Sequence, residues 1–277
     1  MRILLAAFFT ICFSACASDK VTHEETAKSP APAPAAITPA PASVGPDAVA
    51  HEAAKEAASL KTAVAHAHQA PRGEVPSEKA LTWLKNGNQR FVTHHLRKDG
   101  DTAKDRARLL SGQKPHTIVL SCSDSRTPPE VLFDQKLGEI FVIRTAGEAL
   151  DFSAIASIEY GLEHLGSNLI LVMGHESCGA VAATLETMNG SDAGSPWLNS
   201  LVHDLQPHLQ SFAGKPHSPK NAVESWANTE GVAKDLITRS QIVRDAVNSG
   251  EVKIQTALYH MDSGVVEFKQ AKNQSTH

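Results

Sequence analysis

The sequence predicts an α/β fold with a mostly parallel central sheet flanked by helices. Short apolar, β-branched blocks recur at 117–121, 139–144, 168–173 and 252–259, and stretches with helical spacing of apolar residues separate them. Two of those blocks run straight into polar, chemistry-bearing residues, as strands do when their carboxyl ends carry a site. The chain has 277 residues and 42% hydrophobic composition, which suits one domain of about 200 residues with extensions.

The elements follow in order. Pro76-Ser77 opens the compact part, with Ser77 as the expected cap of a helix carrying Leu81, Leu84 and Phe91. Asp101 is the expected cap of a second helix, which stops at Ser111-Gly112. Strand 117–121 comes next, then a short helical turn begun by Pro128-Pro129-Glu130, since proline suits the first helical position. Strand 139–144 precedes a helix marked by Phe152, Ile155, Ile158, Leu162 and Leu165, ending at Gly166. Strand 168–173 leads into a helix over 177–189. Two more helical stretches span 195–213 and 219–248. Strands 252–259 and 265–268, joined by the turn residues Asp262-Ser263-Gly264, close the domain.

Composition limits what the chain does. A net charge of −4 makes no case for nucleic acid as a partner. The first residues read as a secretory signal: Arg2, an apolar run from Ile3 to Phe13, then Ser14-Ala15-Cys16. That ending resembles a bacterial lipoprotein cleavage box. The resemblance implies lipidation of Cys16 and, with Ala17 following it, an exported protein anchored to the outer membrane and facing the periplasm. Residues 1–16 are thus assigned to the signal. Residues 17–48, with Pro30, Pro32, Pro34, Pro39 and Pro41, form a Pro/Ala tether. Residues 49–75 form an Ala-rich helical extension, whose His51, His66 and His68 read as solvated side chains. The domain occupies 76–270, and a polar tail 271–277.

With Cys12 and Cys16 assigned to the signal and the anchor, the domain keeps two of the four cysteines, Cys122 and Cys178. Cys122 stands in Ser121-Cys122-Ser123-Asp124-Ser125-Arg126, and Cys178 in His175-Glu176-Ser177-Cys178. In an oxidising compartment two lone thiols can pair as a disulfide. Their neighbours point instead to metal. Two thiolates and an imidazole suit tetrahedral zinc with one open position, a catalytic arrangement more often than a structural one. The His-x-x-Cys spacing lets both side chains converge across a strand end and a helix start. In extended chain Asp124 and Arg126 would face the same way as Cys122, so that Arg126 can hold the carboxylate beside the metal.

These motifs carry a family resemblance. Ser121 to Arg126 with Pro128-Pro129-Glu130, then Gly138-Glu139-Ile140-Phe141-Val142-Ile143-Arg144-Thr145-Ala146-Gly147, Ser157-Ile158-Glu159-Tyr160 and Gly174 to Gly179 together resemble the β-class carbonic anhydrases. The resemblance runs from about Ser77 to Phe268. It implies a β-carbonic anhydrase-like fold, one Zn2+ per subunit on Cys122, His175 and Cys178, and reversible hydration of carbon dioxide to bicarbonate and a proton. Asp124 would orient the nucleophile and Arg126 would keep Asp124 available. Gln113 falls at the family's substrate-contacting glutamine, and Phe141 and Tyr160 at its pocket-wall positions. Ile118 and Val119 before the first motif, and Thr145 after Arg144, match the plant-like, non-allosteric type. A homodimer or tetramer with sites near the interface is also implied. Two departures stand out: Glu148 where Asn is usual, and Tyr259-His260-Met261-Asp262 near the end. Two rivals share the sequence evidence: hydrolysis of another heterocumulene (carbon disulfide or carbonyl sulfide) on the same scaffold, and a non-catalytic zinc-binding protein of the envelope.

Overall fold

A computed structural model describes residue 73 and residues 75–270. The signal, the tether, nearly all of the Ala-rich extension and the polar tail lie outside the described residues, and so does the lipidation expected at Cys16. Among the described residues, no helix is long and apolar enough to cross a membrane.

The first helix, α1 (Ser77–Val92), starts at Ser77 itself. Pro76 takes the cap position and no side chain caps the end, which corrects the expected Ser77 cap. The second, α2 (Ala103–Arg108), is capped by Thr102 rather than Asp101, in a reciprocal box with Asp105. Thr102 offers its hydroxyl to the Asp105 N–H while Asp105 accepts from the Thr102 N–H, so two orphan donors are satisfied at once.

Strand β1 (Thr117–Cys122), the turn helix α3 (Pro129–Leu132) and strand β2 (Ile140–Thr145) follow. Helix α4 (Phe152–Glu163) is capped by Asp151, whose carboxylate accepts from the Ala154 N–H. Strand β3 (Leu169–His175), helix α5 (Gly179–Met188) and helix α6 (Pro196–Leu209) complete the central part. The stretch expected as one helix over 219–248 is two, α7 (Ala222–Arg239) and α8 (Gln241–Asn248). Ser240 breaks it in an extended conformation and caps α8 by accepting from the Val243 N–H, an alternative to the helix ladder that serine readily offers. Strands β4 (Lys253–Tyr259) and β5 (Val266–Phe268) end the domain.

The sheet order is β2-β1-β3-β4-β5. The first four strands run parallel and β5 is antiparallel to β4, as expected of a mostly parallel sheet. β1 and β3 are buried at every residue, which is why their sequences run apolar without alternation. One face packs Val119, Leu171 and Met173 on α1. The other packs Ile118, Leu120, Ile170 and Val172 on α4 and α7. The register sets Cys122 level with Thr145, and His175 level with Tyr259, so β1, β2, β3 and β4 deliver their last residues to one rim of the sheet.

Candidate metal centre

Cys122 is the last residue of β1, His175 the last of β3, and Cys178 the cap residue of α5. All three are buried, and their ligand atoms lie within 4.8 Å of one another. Both cysteines are free thiols, with no disulfide between them. The two ligands of the second motif converge because Ser177 takes a left-handed conformation, φ 57°, and its N–H bonds to the Lys220 carbonyl. A non-glycine residue there is strained, and such strain collects at functional loops. Asn221 clamps the same turn: its amide oxygen accepts from the Cys178 N–H at 3.1 Å and its amide N–H donates to the Cys178 carbonyl at 3.0 Å.

The donor set fits zinc. His175 Nδ1 lies 2.8 Å from the Glu176 carbonyl, which makes it the protonated nitrogen. That leaves Nε2 buried without a partner and aimed at the two sulfurs. A carbonyl on Nδ1 that frees Nε2 is the usual support of a metal-bound imidazole. A hydrogen bond from Cys178 chiefly, with the Gly147 N–H helping, holds the Cys122 thiol well below the ordinary range despite burial. The same contact and burial push Cys178 up.

Asp124 and Arg126 meet in a turn, not along extended chain. β1 ends at Cys122, and the Thr127 N–H closes the loop on the Asp124 carbonyl at 3.0 Å. Arg126 grips Asp124 through Nε at 2.9 Å and Nη2 at 2.6 Å, and its own backbone N–H adds a third bond. Those bonds, the side-chain one first, keep the carboxyl well below the usual carboxylate range. Asp124 Oδ2 stands 4.0 Å from His175 Nε2, so the carboxylate edges the place where a metal would sit. Arg144 holds this loop from β2, donating to the carbonyls of Cys122 at 2.9 Å and Asp124 at 2.6 Å.

Within the chain, the three expected substrate residues lie away from this cluster. Phe141 is paired with Ile118, four residues short of the Cys122 level, roughly 13 Å away along the strand. Tyr160 on α4 joins it, with ring centroids 6.2 Å apart. Gln113 lies beyond the other end of β1, lining a cavity of about 630 Å³ with Trp83, Arg97 and His116. The chain therefore gathers Cys122, His175, Cys178, Asp124 and Arg126 at one rim, but brings none of Gln113, Phe141 and Tyr160 to that cluster.

Glu148 is fully buried in a left-handed conformation, φ 54°, with Oε1 accepting from the Thr229 hydroxyl and Oε2 unpartnered. Burial first, and then the Cys122 charge, pushes its carboxyl up to about 8. An unfolded glutamate ionises near 4.5, so the folded metal-free chain binds the extra proton between those two values. Its stability should fall as pH rises through that window and level off above about 8. Glu148→Gln should flatten the decline, as read by denaturant unfolding of the metal-free protein at pH 5 and pH 9. Equal pH dependence in both proteins would show the carboxyl is not neutral.

Arg144 stands inside a quoted motif and Glu148 stands out there as a departure, but the motifs show neither the contacts of those two residues nor the Asn221 clamp. Arg144 reads as one more polar residue ending a strand, and the clamp by Asn221 depends on a contact 43 residues away in sequence. The one local signal is Asn221 just before a helical pattern, a common cap residue.

An α/β sheet carrying a buried Cys-His-Cys group and a clamped carboxylate at its carboxyl rim defines a site able to hold a metal ion. The family model described as "Carbonic anhydrase" matches residues 117–266. The carbonic anhydrase of Mycolicibacterium smegmatis is 36% identical over 195 residues, covering 70% of this chain and 94% of that relative. Carbonic anhydrase 2 of Mycobacterium tuberculosis is 35% identical over 181 residues, covering 65% and 87%. A Coccomyxa β-carbonic anhydrase solved with acetazolamide superposes with a TM-score of 0.53 at 28% identity, over 60% of this chain and 78% of that one. The chain belongs to the carbonic anhydrase family, in its β class, and is a carbonic anhydrase enzyme.

Proposed function

We propose that the enzyme hydrates carbon dioxide reversibly to bicarbonate and a proton at a zinc ion on Cys122, His175 and Cys178. The observation that carries this is His175 Nε2, buried, unpartnered and within 4.8 Å of both sulfurs. Zinc there supplies, when bound, an activated water as nucleophile. Two thiolates cancel the ion's formal charge, so the neutral-pH acidity of three-histidine sites does not transfer and activity should favour higher pH. With zinc bound, Asp124 would accept a hydrogen bond from the nucleophile and orient it. Arg126 holds Asp124 by two side-chain bonds and keeps it ionised. Stripping metal with a chelator should abolish hydration, and adding zinc back should restore it. Unchanged turnover in the stripped protein would refute the zinc reading.

Gln113, Phe141 and Tyr160 fit the substrate pocket of a neighbouring subunit better than that of their own. Tyr160 is 47% exposed, and Phe141 lies on β2, the edge strand of the sheet. A homodimer or tetramer of the plant-like, non-allosteric type, with these residues facing a partner's zinc, accommodates that placement. The rivals gain nothing from the comparisons, since the relatives named above are carbonic anhydrases.

The N-terminal sequence supports export, lipidation of Cys16 and anchoring to the outer membrane, with the domain in the periplasm. The full chain should fractionate with membranes, and Cys16→Ala should release it. Equal partitioning of both forms would remove the anchor.

A further inference from the structure

The loop after β2 is held from the helical layer by a chain of side chains that the proposed chemistry does not use. The Gly147 N–H donates to Cys122 Sγ at 3.4 Å, and the Gly147 carbonyl accepts from the Asn228 amide N–H at 2.8 Å. Asn228 is completely buried. Its amide oxygen lies 3.0 Å from His208 Nδ1, and His208 Nε2 lies 3.0 Å from the Asp235 carboxylate at the surface. Asn228 donates to a carbonyl, so its oxygen must accept, and His208 carries a proton on Nδ1.

Several features show a built arrangement. Asn228, Gly231 and Asp235 are spaced three and four apart on α7, so they share the face turned to α6. Leu205 and His208 do the same on α6. A Cβ at Gly231 would come within 2.3 Å of the His208 ring, so the glycine opens the space the imidazole fills. Gly147 stands at φ 64°, and a Cβ there would meet a Leu205 methyl at 2.7 Å and the Ala180 Cβ at 3.0 Å. The peptide is thus pinned on both sides: by packing from α5 and α6, and by the Asn228 bond to its oxygen.

We propose that Asn228 and His208 are positioning residues that hold the Gly147 N–H on the Cys122 sulfur and so set how strongly that thiolate donates to the metal. This rests on Cys122 being a metal ligand, as proposed above. A hydrogen bond to a ligating thiolate draws electron density from sulfur, leaving the metal a stronger Lewis acid. Without the clamp the thiolate donates more and water at the open position is less acidic.

The test uses the full chain loaded with cadmium-113 in place of zinc. Wild type should show a through-bond coupling between the Gly147 amide proton and cadmium, because the N–H···S bond connects them. Asn228→Ala and His208→Ala should lose that coupling while retaining one cadmium per chain and a cooperative thermal transition. His208→Gln, which can still donate to Asn228, should keep it. The zinc-loaded Ala variants should show a carbon dioxide hydration profile moved to higher pH by about 0.7 unit, the size one net hydrogen bond allows. Coupling retained in folded Ala variants, or an unmoved pH profile, would overturn the proposal. Wild type that binds cadmium without any Cys122 signal would instead remove the ligand reading beneath it.

Discussion

Replacing Asp124 with alanine is expected to cut carbon dioxide hydration by about 10²- to 10⁴-fold while metal stays bound, the range that loss of one positioned proton-handling group produces. The geometry separates the two properties. Asp124 is not among the three clustered ligands, so zinc content should match wild type. Its carboxylate nevertheless edges the open position, 4.0 Å from His175 Nε2. Arg126→Ala should follow the same direction, because it frees Asp124 to turn toward the metal as a fourth ligand. Zinc analysis and stopped-flow rates on the same samples decide it. Wild-type kcat/KM in either variant would remove these roles.

Cys178→Ser is expected to lose the metal and, with it, all turnover. Structural zinc in thiolate sites binds with an apparent free energy of roughly 10–16 kcal/mol, and the thiolate is the form that ligates. Serine keeps the size and the N-cap position, and the Asn221 clamp acts on the backbone of residue 178, so that clamp should survive. The loss should therefore be specific: no zinc by elemental analysis, with unfolding still cooperative. A zinc-loaded Cys178→Ser protein would place the third ligand elsewhere.

Much of this site was legible in the sequence because its parts are local. The strand-end position of Cys122, the His175-x-x-Cys178 turn and the Asp124–Arg126 pair each lie within a few residues, and the apolar blocks before them fix them to one rim. What stayed hidden depends on contacts distant in sequence. The carbonyl clamp by Arg144 exists because β2 lies beside β1, and the Asn228–His208 chain exists because α6 and α7 lie side by side. Alternation along extended chain correctly paired Asp124 with Arg126 but for the wrong reason, since a turn brings them together. Resemblance located Gln113, Phe141 and Tyr160 in the pattern of the family, whereas the chain itself sets them far from its own ligands. The helix expected over 219–248 split because the capping potential of Ser240 outweighed an unbroken helical pattern.

The most direct test of the central claim is stopped-flow carbon dioxide hydration against pH, with zinc content measured on the same preparation. Turnover should scale with zinc up to one ion per chain and rise with pH beyond neutrality. Full-rate hydration by zinc-free protein, or no hydration by protein carrying one zinc per chain, would contradict it.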